Sequence, residues 1–202
     1  MAVLEQEIRQ APELIVRSIT RHLFSRADYH AMAFAGILTD QRVELIEGEI
    51  IDMSPIGLAH AALTDPLAEL LRSAFGAGFT VRTQMPIALG DDRTPSEPQP
   101  DIAVVIGIWR DYIARHPQAQ DIRLVVEVSD SSLNFDRKAK SALYAAARIP
   151  EYWIVNLVDN CLEVYRDPDK AAYGPVTVYK IGDHVNPLHA QTGRIAVTDF
   201  LP

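Results

Sequence analysis

The stretch that most constrains this chain is Arg123–Ser129, which reads RLVVEVS: an apolar run with a glutamate inside it. Runs this rich in Val and Leu suit strands buried on both faces, at the centre of a sheet. Side chains of a strand alternate faces. Val125, Glu127 and Ser129 therefore share one face, and Leu124, Val126 and Val128 share the other. Glu127 is then a carboxylate among apolar neighbours. Such a group is costly to bury unless it is paired, protonated or bound to a cation.

The segments around this strand suit a sheet flanked by helices. Ser25 has the character of an N-cap for a helix over residues 27–36, which Gly36 stops. VELIEGEIIDM carries two alternating apolar runs on either side of Glu47-Gly48, the signature of a tight hairpin. Residues 57–75 place Leu63, Leu67, Leu70 and Leu71 at helical spacing. Thr80–Leu89 alternates as a strand, and the proline-rich GDDRTPSEPQP that follows reads as loop. Asp101–Ile106 is a short apolar strand beginning at an acid, and residues 107–120 are irregular. FDRKAKSALYAAAR, residues 135–148, predicts a helix that Pro150 ends. Residues 151–158 and 162–166 form strands around an Asn160 turn, and VTVYKIGD and RIAVTDFLP suit edge strands and a tail. This order predicts an α/β (α+β) fold, with a central mixed β-sheet flanked by helices. Residues 1–20 are expected to be an N-terminal arm, and residues 21–202 a single domain.

Composition narrows the function classes. The chain has 202 residues, 48% of them apolar, enough for a core. No run of 18 apolar residues marks a membrane span, and the acidic N-terminus does not read as a secretory signal. Cys161 is the only cysteine, so no internal disulfide forms, and a reducing cytoplasm is the expected compartment. Net charge is −8, which disfavours strong nucleic-acid binding unless a metal or a local basic patch offsets it.

The chemistry is expected where acids meet the apolar strands. Asp101 stands at the mouth of one strand and Glu127 lies inside the next. Two carboxylates at neighbouring strand ends suit a hard cation such as Mg²⁺, which takes one or two carboxylates, waters and phosphate oxygens. Lys140 shares a helix face with Leu143 and Tyr144, three and four residues on, so it is expected to point toward the sheet. An inward ammonium there would stabilise charge developing on a phosphorus centre. His60 follows a Ser-Pro turn and is a candidate substrate contact or acid/base; Gln84 is a candidate for orienting water.

Pro100-Asp101, Glu127-Val128-Ser129 and Asp136-x-x-x-Lys140-x-x-x-Tyr144 together resemble the PD-(D/E)XK nuclease superfamily. They are most similar to its branch of restriction-type endonucleases catalogued as domain of unknown function 820. RVELIEGEIIDMSPIGLAH, SEPQPDIAVV and IPEYWIVNLVDNCLEVYR extend the resemblance over residues 24–202. It implies a restriction-endonuclease-like fold and an Mg²⁺-dependent endonuclease (Mn²⁺ a substitute) hydrolysing DNA, with a homodimer expected for cutting both strands. It implies metal ligation by Asp101 and Glu127, with Glu44 as an additional early acid. The lysine of the superfamily triplet would fall at Ser129; the resemblance places its replacement at Lys140. Ser129 itself reads equally as a hydrogen-bond donor to a metal ligand or as a packed strand serine. The alternative is a catalytically inactive nuclease-fold module that binds nucleic acid or protein, which the serine at 129 and the acidic charge favour.

Overall fold

In a computed structural model, which describes residues 21–201, the chain opens on helix α1 (Arg26–Phe34). The expected N-terminal arm, 1–20, lies outside the described residues. Ser25 and Asp28 form a reciprocal capping box: the Ser25 hydroxyl accepts the Asp28 N–H at 3.1 Å, and the Asp28 carboxylate accepts the Ser25 N–H at 2.9 Å. Strands β1 (Val43–Ile46) and β2 (Glu49–Asp52) pair antiparallel. Glu47 and Gly48 join them with φ of 49° and 80°, the paired left-handed conformation that suits a two-residue hairpin.

Gly48 is also a crossing point. Its N–H bonds Pro95 C=O and its C=O accepts the Phe24 N–H, each at 2.8 Å. A Cβ added there would stand 2.8 Å from the Leu23 Cβ. Gly48→Ala therefore meets both left-handed strain and a clash. It is expected to lower stability by at least ~1–2 kcal/mol, measured by urea denaturation.

Helix α2 (Leu58–Phe75) leads into a six-stranded sheet whose strands lie in chain order: β3 (Phe79–Thr83), β4 (Ile102–Ile106), β5 (Ile122–Ser129), β6 (Glu151–Asn156), β7 (Cys161–Arg166) and β8 (Thr177–Tyr179). Only β5 and β6 pair parallel; the other pairs are antiparallel. The apolar run of β5 is buried between β4 and β6. The alternation read from the sequence holds. Leu124, Val126 and Val128 pack with Leu67, Leu71 and Phe75 of α2, while Val125 packs with Tyr144, Tyr152 and Ile154 on the opposite face.

The parallel β5–β6 pair needs a crossover. It is made of three contiguous helical pieces: α3 (Leu133–Phe135), a π-helical turn over Asp136–Lys140, and α4 (Ser141–Ala146). This corrects the uninterrupted helix expected over 135–148. The expected strand over Thr80–Leu89 is likewise shorter, ending at Thr83. Gln84 takes a φ of 51°, and Pro86 has no N–H for a ladder. Residues 84–99 instead run as a strap: Leu89 and Ser96 exchange backbone hydrogen bonds at 2.9 Å, and the Glu97 N–H donates to Leu45 C=O at 2.7 Å. The strap thereby ties the β1–β2 hairpin beside the main sheet.

The C-terminal segment carries a short β9 (His184–Val185) and β10 (Ile195–Ala196) pair, with Val185, Ile195, Phe200 and Leu201 in the α2-side core. Glu151, fully buried, anchors this segment: it accepts from Trp153 Nε1 at 2.9 Å, Arg166 Nη2 at 2.6 Å and the Leu188 N–H at 2.7 Å.

Candidate active site

Four elements converge on one point at the end of the central sheet. β5 carries Glu127 toward the crossover helix, because the Val125 face of the sheet is the one that helix covers. The start of β4 brings Asp101 alongside. Backbone N–H groups tie the two acids together: the Val128 N–H, next to Glu127, donates to Asp101 Oδ2 at 2.8 Å, and the Asp101 N–H points at Glu127 Oε2 at 3.4 Å. β1 supplies Glu44, whose Oε2 accepts the Gln99 N–H from the strap at 3.1 Å. The crossover helix supplies Lys140, whose Nζ stands 3.0 Å from Glu127 Oε1 and 3.3 Å from Glu44 Oε1.

Glu44, Glu127 and Lys140 are each no more than 5% exposed, and the Tyr144 hydroxyl adds a hydrogen bond to Glu127 Oε1 at 2.8 Å. His60, from the first turn of α2, holds Asp101 Oδ1 at 2.7 Å. These groups lie at a cavity of about 340 Å³, also lined by Arg42, Asp130, Ser132 and Asp136.

Ser129 sits on the Glu127 face, two residues on, and is fully buried. Its hydroxyl donates not to a metal-site acid named from the sequence but to Asp136 Oδ2, at 2.7 Å, beside the Ser132 hydroxyl at 2.6 Å. Asp136, 2% exposed, belongs to the motif that carries the family resemblance, but it is not among the site residues expected from the sequence. Gln84 is not brought into this group. Its side chain is exposed, and only its backbone N–H reaches Asp101 C=O, at 3.0 Å. Gln99 was missed altogether, since a loop glutamine whose backbone supports an acid leaves no local pattern.

Electrostatics set the character of the site. Burial pushes the Glu127 carboxyl up to about 8; Lys140 pulls it down, and Asp101, Asp136 and Glu44 push it up again. Burial alone would lower the Lys140 ammonium, but Glu127, Glu44 and Asp136 outweigh it and hold it well above the usual lysine range. Tyr144 is likewise pushed far up, by burial first and then by Glu127. Four acids thus face one buried ammonium and one imidazole, with the Arg42 guanidinium only at the exposed rim. Such a set is short of positive charge, which a divalent cation supplies. Asp101 and Glu127, on adjacent strands with carboxylates open to the cavity, are the pair that fits one, with Glu44 beside Lys140. The set is a partial shell, matching a cation that keeps waters and takes phosphate oxygens.

The fold is shared with a solved structure, a putative nuclease belonging to DUF820 from Anabaena variabilis. That structure aligns at a TM-score of 0.69 and 16% identity, over 88% of this chain and 97% of that one. At this identity the likeness speaks for the fold: a mixed α+β core of nuclease-like type, with a six-stranded sheet between helices. The sequence profile of the Uma2 family, described as putative restriction endonucleases, matches residues 26–197, and the chain belongs to that family. No curated protein matches the chain. No helix among the described residues is long and apolar enough to cross a membrane.

Proposed function

We propose that this chain is a divalent-metal-dependent endonuclease that hydrolyses DNA phosphodiester bonds, with Mg²⁺ held by Asp101 and Glu127 and Glu44 as the third acid. One observation carries this reading: at a cavity open to solvent, Glu44 and Glu127, far apart in the chain, flank one buried ammonium, and Asp101 is tied to the Glu127 segment beside them. The family description and the nuclease-like fold support the same class of substrate.

Bound there, the cation would supply a nucleophile at neutral pH and offset phosphate charge. The protein's own groups do the rest. His60 fixes the Asp101 carboxylate through Oδ1, and the Val128 N–H fixes it through Oδ2. Tyr144 keeps Glu127 oriented by donating to Oε1. Lys140 presents its ammonium to the charge that builds on the phosphoryl oxygens. A pair of copies related by two-fold symmetry would present one such site to each strand of a duplex.

Lys140 also weighs against the inactive-module alternative. The amine missing at 129 reaches Glu127 from the neighbouring helix.

The test is direct. Mg²⁺ or Mn²⁺ should bind by calorimetry and support nicking of plasmid DNA that EDTA abolishes. No metal binding together with no cleavage of duplex, single-stranded or branched DNA would leave the inactive module as the better account. The binding should also release protons. Below about pH 8 the metal-free Glu127 carboxyl keeps its proton. A cation displaces it, so affinity should rise with pH up to about 8 and level off above it. At pH 7 the heat of binding should vary with the ionisation enthalpy of the buffer; a buffer-independent heat would contradict this.

A further inference from the structure

On the far side of the strap, away from Lys140, three side chains from distant parts of the chain meet. His30 Nε2 of α1 stands 2.9 Å from Glu97 Oε1 and 3.0 Å from Glu97 Oε2. His116 Nε2, from the loop before β5, stands 3.6 Å from Glu97 Oε1. One donor atom from each of the three residues can be chosen so that all lie within 4.8 Å of one another. Glu97 is 3% exposed, whereas His30 and His116 reach solvent along a second cavity of about 420 Å³.

We propose that His30, Glu97 and His116 form a second cation site, specific for an imidazole-preferring transition metal such as Zn²⁺, which staples α1 to the strap and to the loop before β5. The donor types carry the selectivity. Two imidazoles and one carboxylate suit Zn²⁺, Co²⁺ or Ni²⁺, whereas Mg²⁺ favours an all-oxygen shell. The spacing carries the geometry. Donors about 2.0–2.1 Å from a tetrahedral ion stand roughly 3.3 Å apart, close to the two His–Glu separations. The remaining position faces the cavity and takes water, as in three-ligand zinc sites.

The topology carries the role. Residues 30, 97 and 116 are joined by no common helix or strand, so one ion would cross-link three separate segments. The guanidiniums of Arg82 and Arg26 lie near His116; Arg82 sits over the Tyr112 ring, 5.7 Å from its centre, and Arg26 is engaged by the Leu89 and Ser96 carbonyls. Nothing in this site touches Asp101, Glu127 or Lys140, so it stands or falls apart from the nuclease reading.

The test uses the full chain carrying Asp101→Asn and Glu127→Gln, which removes metal ligation at the first site. This protein should bind one equivalent of Zn²⁺ by calorimetry, and Co²⁺ should give visible absorption bands of a low-symmetry, four-coordinate ion. Adding His116→Ala should weaken Zn²⁺ binding at least ~10-fold and abolish the Co²⁺ bands. His30→Ala, at a half-exposed helix position, should do the same. Zn²⁺ should raise the melting temperature of the parent, and of neither histidine variant, each compared with its own EDTA-treated form. Absence of Zn²⁺ binding in the parent, or undiminished binding in both histidine variants, would overturn the proposal.

Discussion

Replacing Asp101 with Asn should reduce metal-dependent DNA cleavage at least ~100-fold and leave the fold intact, because the loss at a ligand should exceed that at groups which only support one. The substitution removes a charge and keeps the shape. The Asn carbonyl can still accept the Val128 N–H, which Asp101 Oδ2 now accepts at 2.8 Å. Its amide can still face His60 Nε2, now 2.7 Å from Oδ1. What it loses is an anionic ligand beside Glu127. Thermal melting in EDTA should therefore differ little from wild type, while calorimetry shows weakened Mg²⁺ binding and plasmid nicking falls below detection. A variant that nicks DNA at the wild-type rate would remove Asp101 from the chemistry and end the mechanism proposed above.

Lys140→Met should separate stability from catalysis. Among the described residues, the ammonium is the only cation within 4 Å of both Glu44 and Glu127. Removing one member of such a buried group leaves its partners uncompensated, at a cost of about 3–5 kcal/mol. Glu127 relieves part of this by keeping a proton, since burial has already pushed its carboxyl to about 8. Glu44 remains to be neutralised. In EDTA the variant should unfold at distinctly lower urea, and Mg²⁺ should restore much of the loss by supplying the missing charge. Cleavage should stay down by about 10²–10³-fold even when the metal has restored the fold, which is the usual loss when one preorganised donor to a transition state is removed. If Mg²⁺ restored cleavage together with stability, Lys140 would be a structural counter-ion only.

The sequence made the centre of the molecule legible because the physics there is local. A run of Val and Leu says buried strand, and β5 is buried on both faces. Glu47-Gly48 between alternating runs says left-handed turn, and both residues adopt it. Leu143 and Tyr144 give Lys140 its direction, since a helix face that buries an aromatic ring buries its neighbour one turn away as well. The convergence on Glu127 was anticipated through that pattern and through the family resemblance.

What escaped was set by tertiary contacts. The first part of the strap, up to Leu89, alternates like a strand, but Pro86 and the left-handed Gln84 divert it, and the strap pairs with Leu45 and with itself, Leu89 to Ser96. Gln99 acts through its backbone, which carries no residue-type signal. His30, Glu97 and His116 come from a helix, a strap and a loop, so no spacing in the chain announces them. Ser129 reads as a donor to a metal ligand or as a packed serine, and neither reading names Asp136 as its partner.

The wide turn over Asp136–Lys140 has a consequence for how this family can change. A π-turn holds one more residue than the helix around it requires, and here it absorbs that residue between α3 and α4. Deleting any one of Arg137, Lys138 or Ala139 would restore an unbroken helix and improve its hydrogen bonding. The two halves would stay nearly in phase, since the π-turn spends five residues on about the rotation that an α-turn spends four on. Asp136 and Lys140 would then stand three apart on one face of a plain helix. The same deletion within α2 would instead rotate everything beyond it by about 100°. Loss of one residue is therefore expected to be tolerated in this turn and excluded from the regular helix.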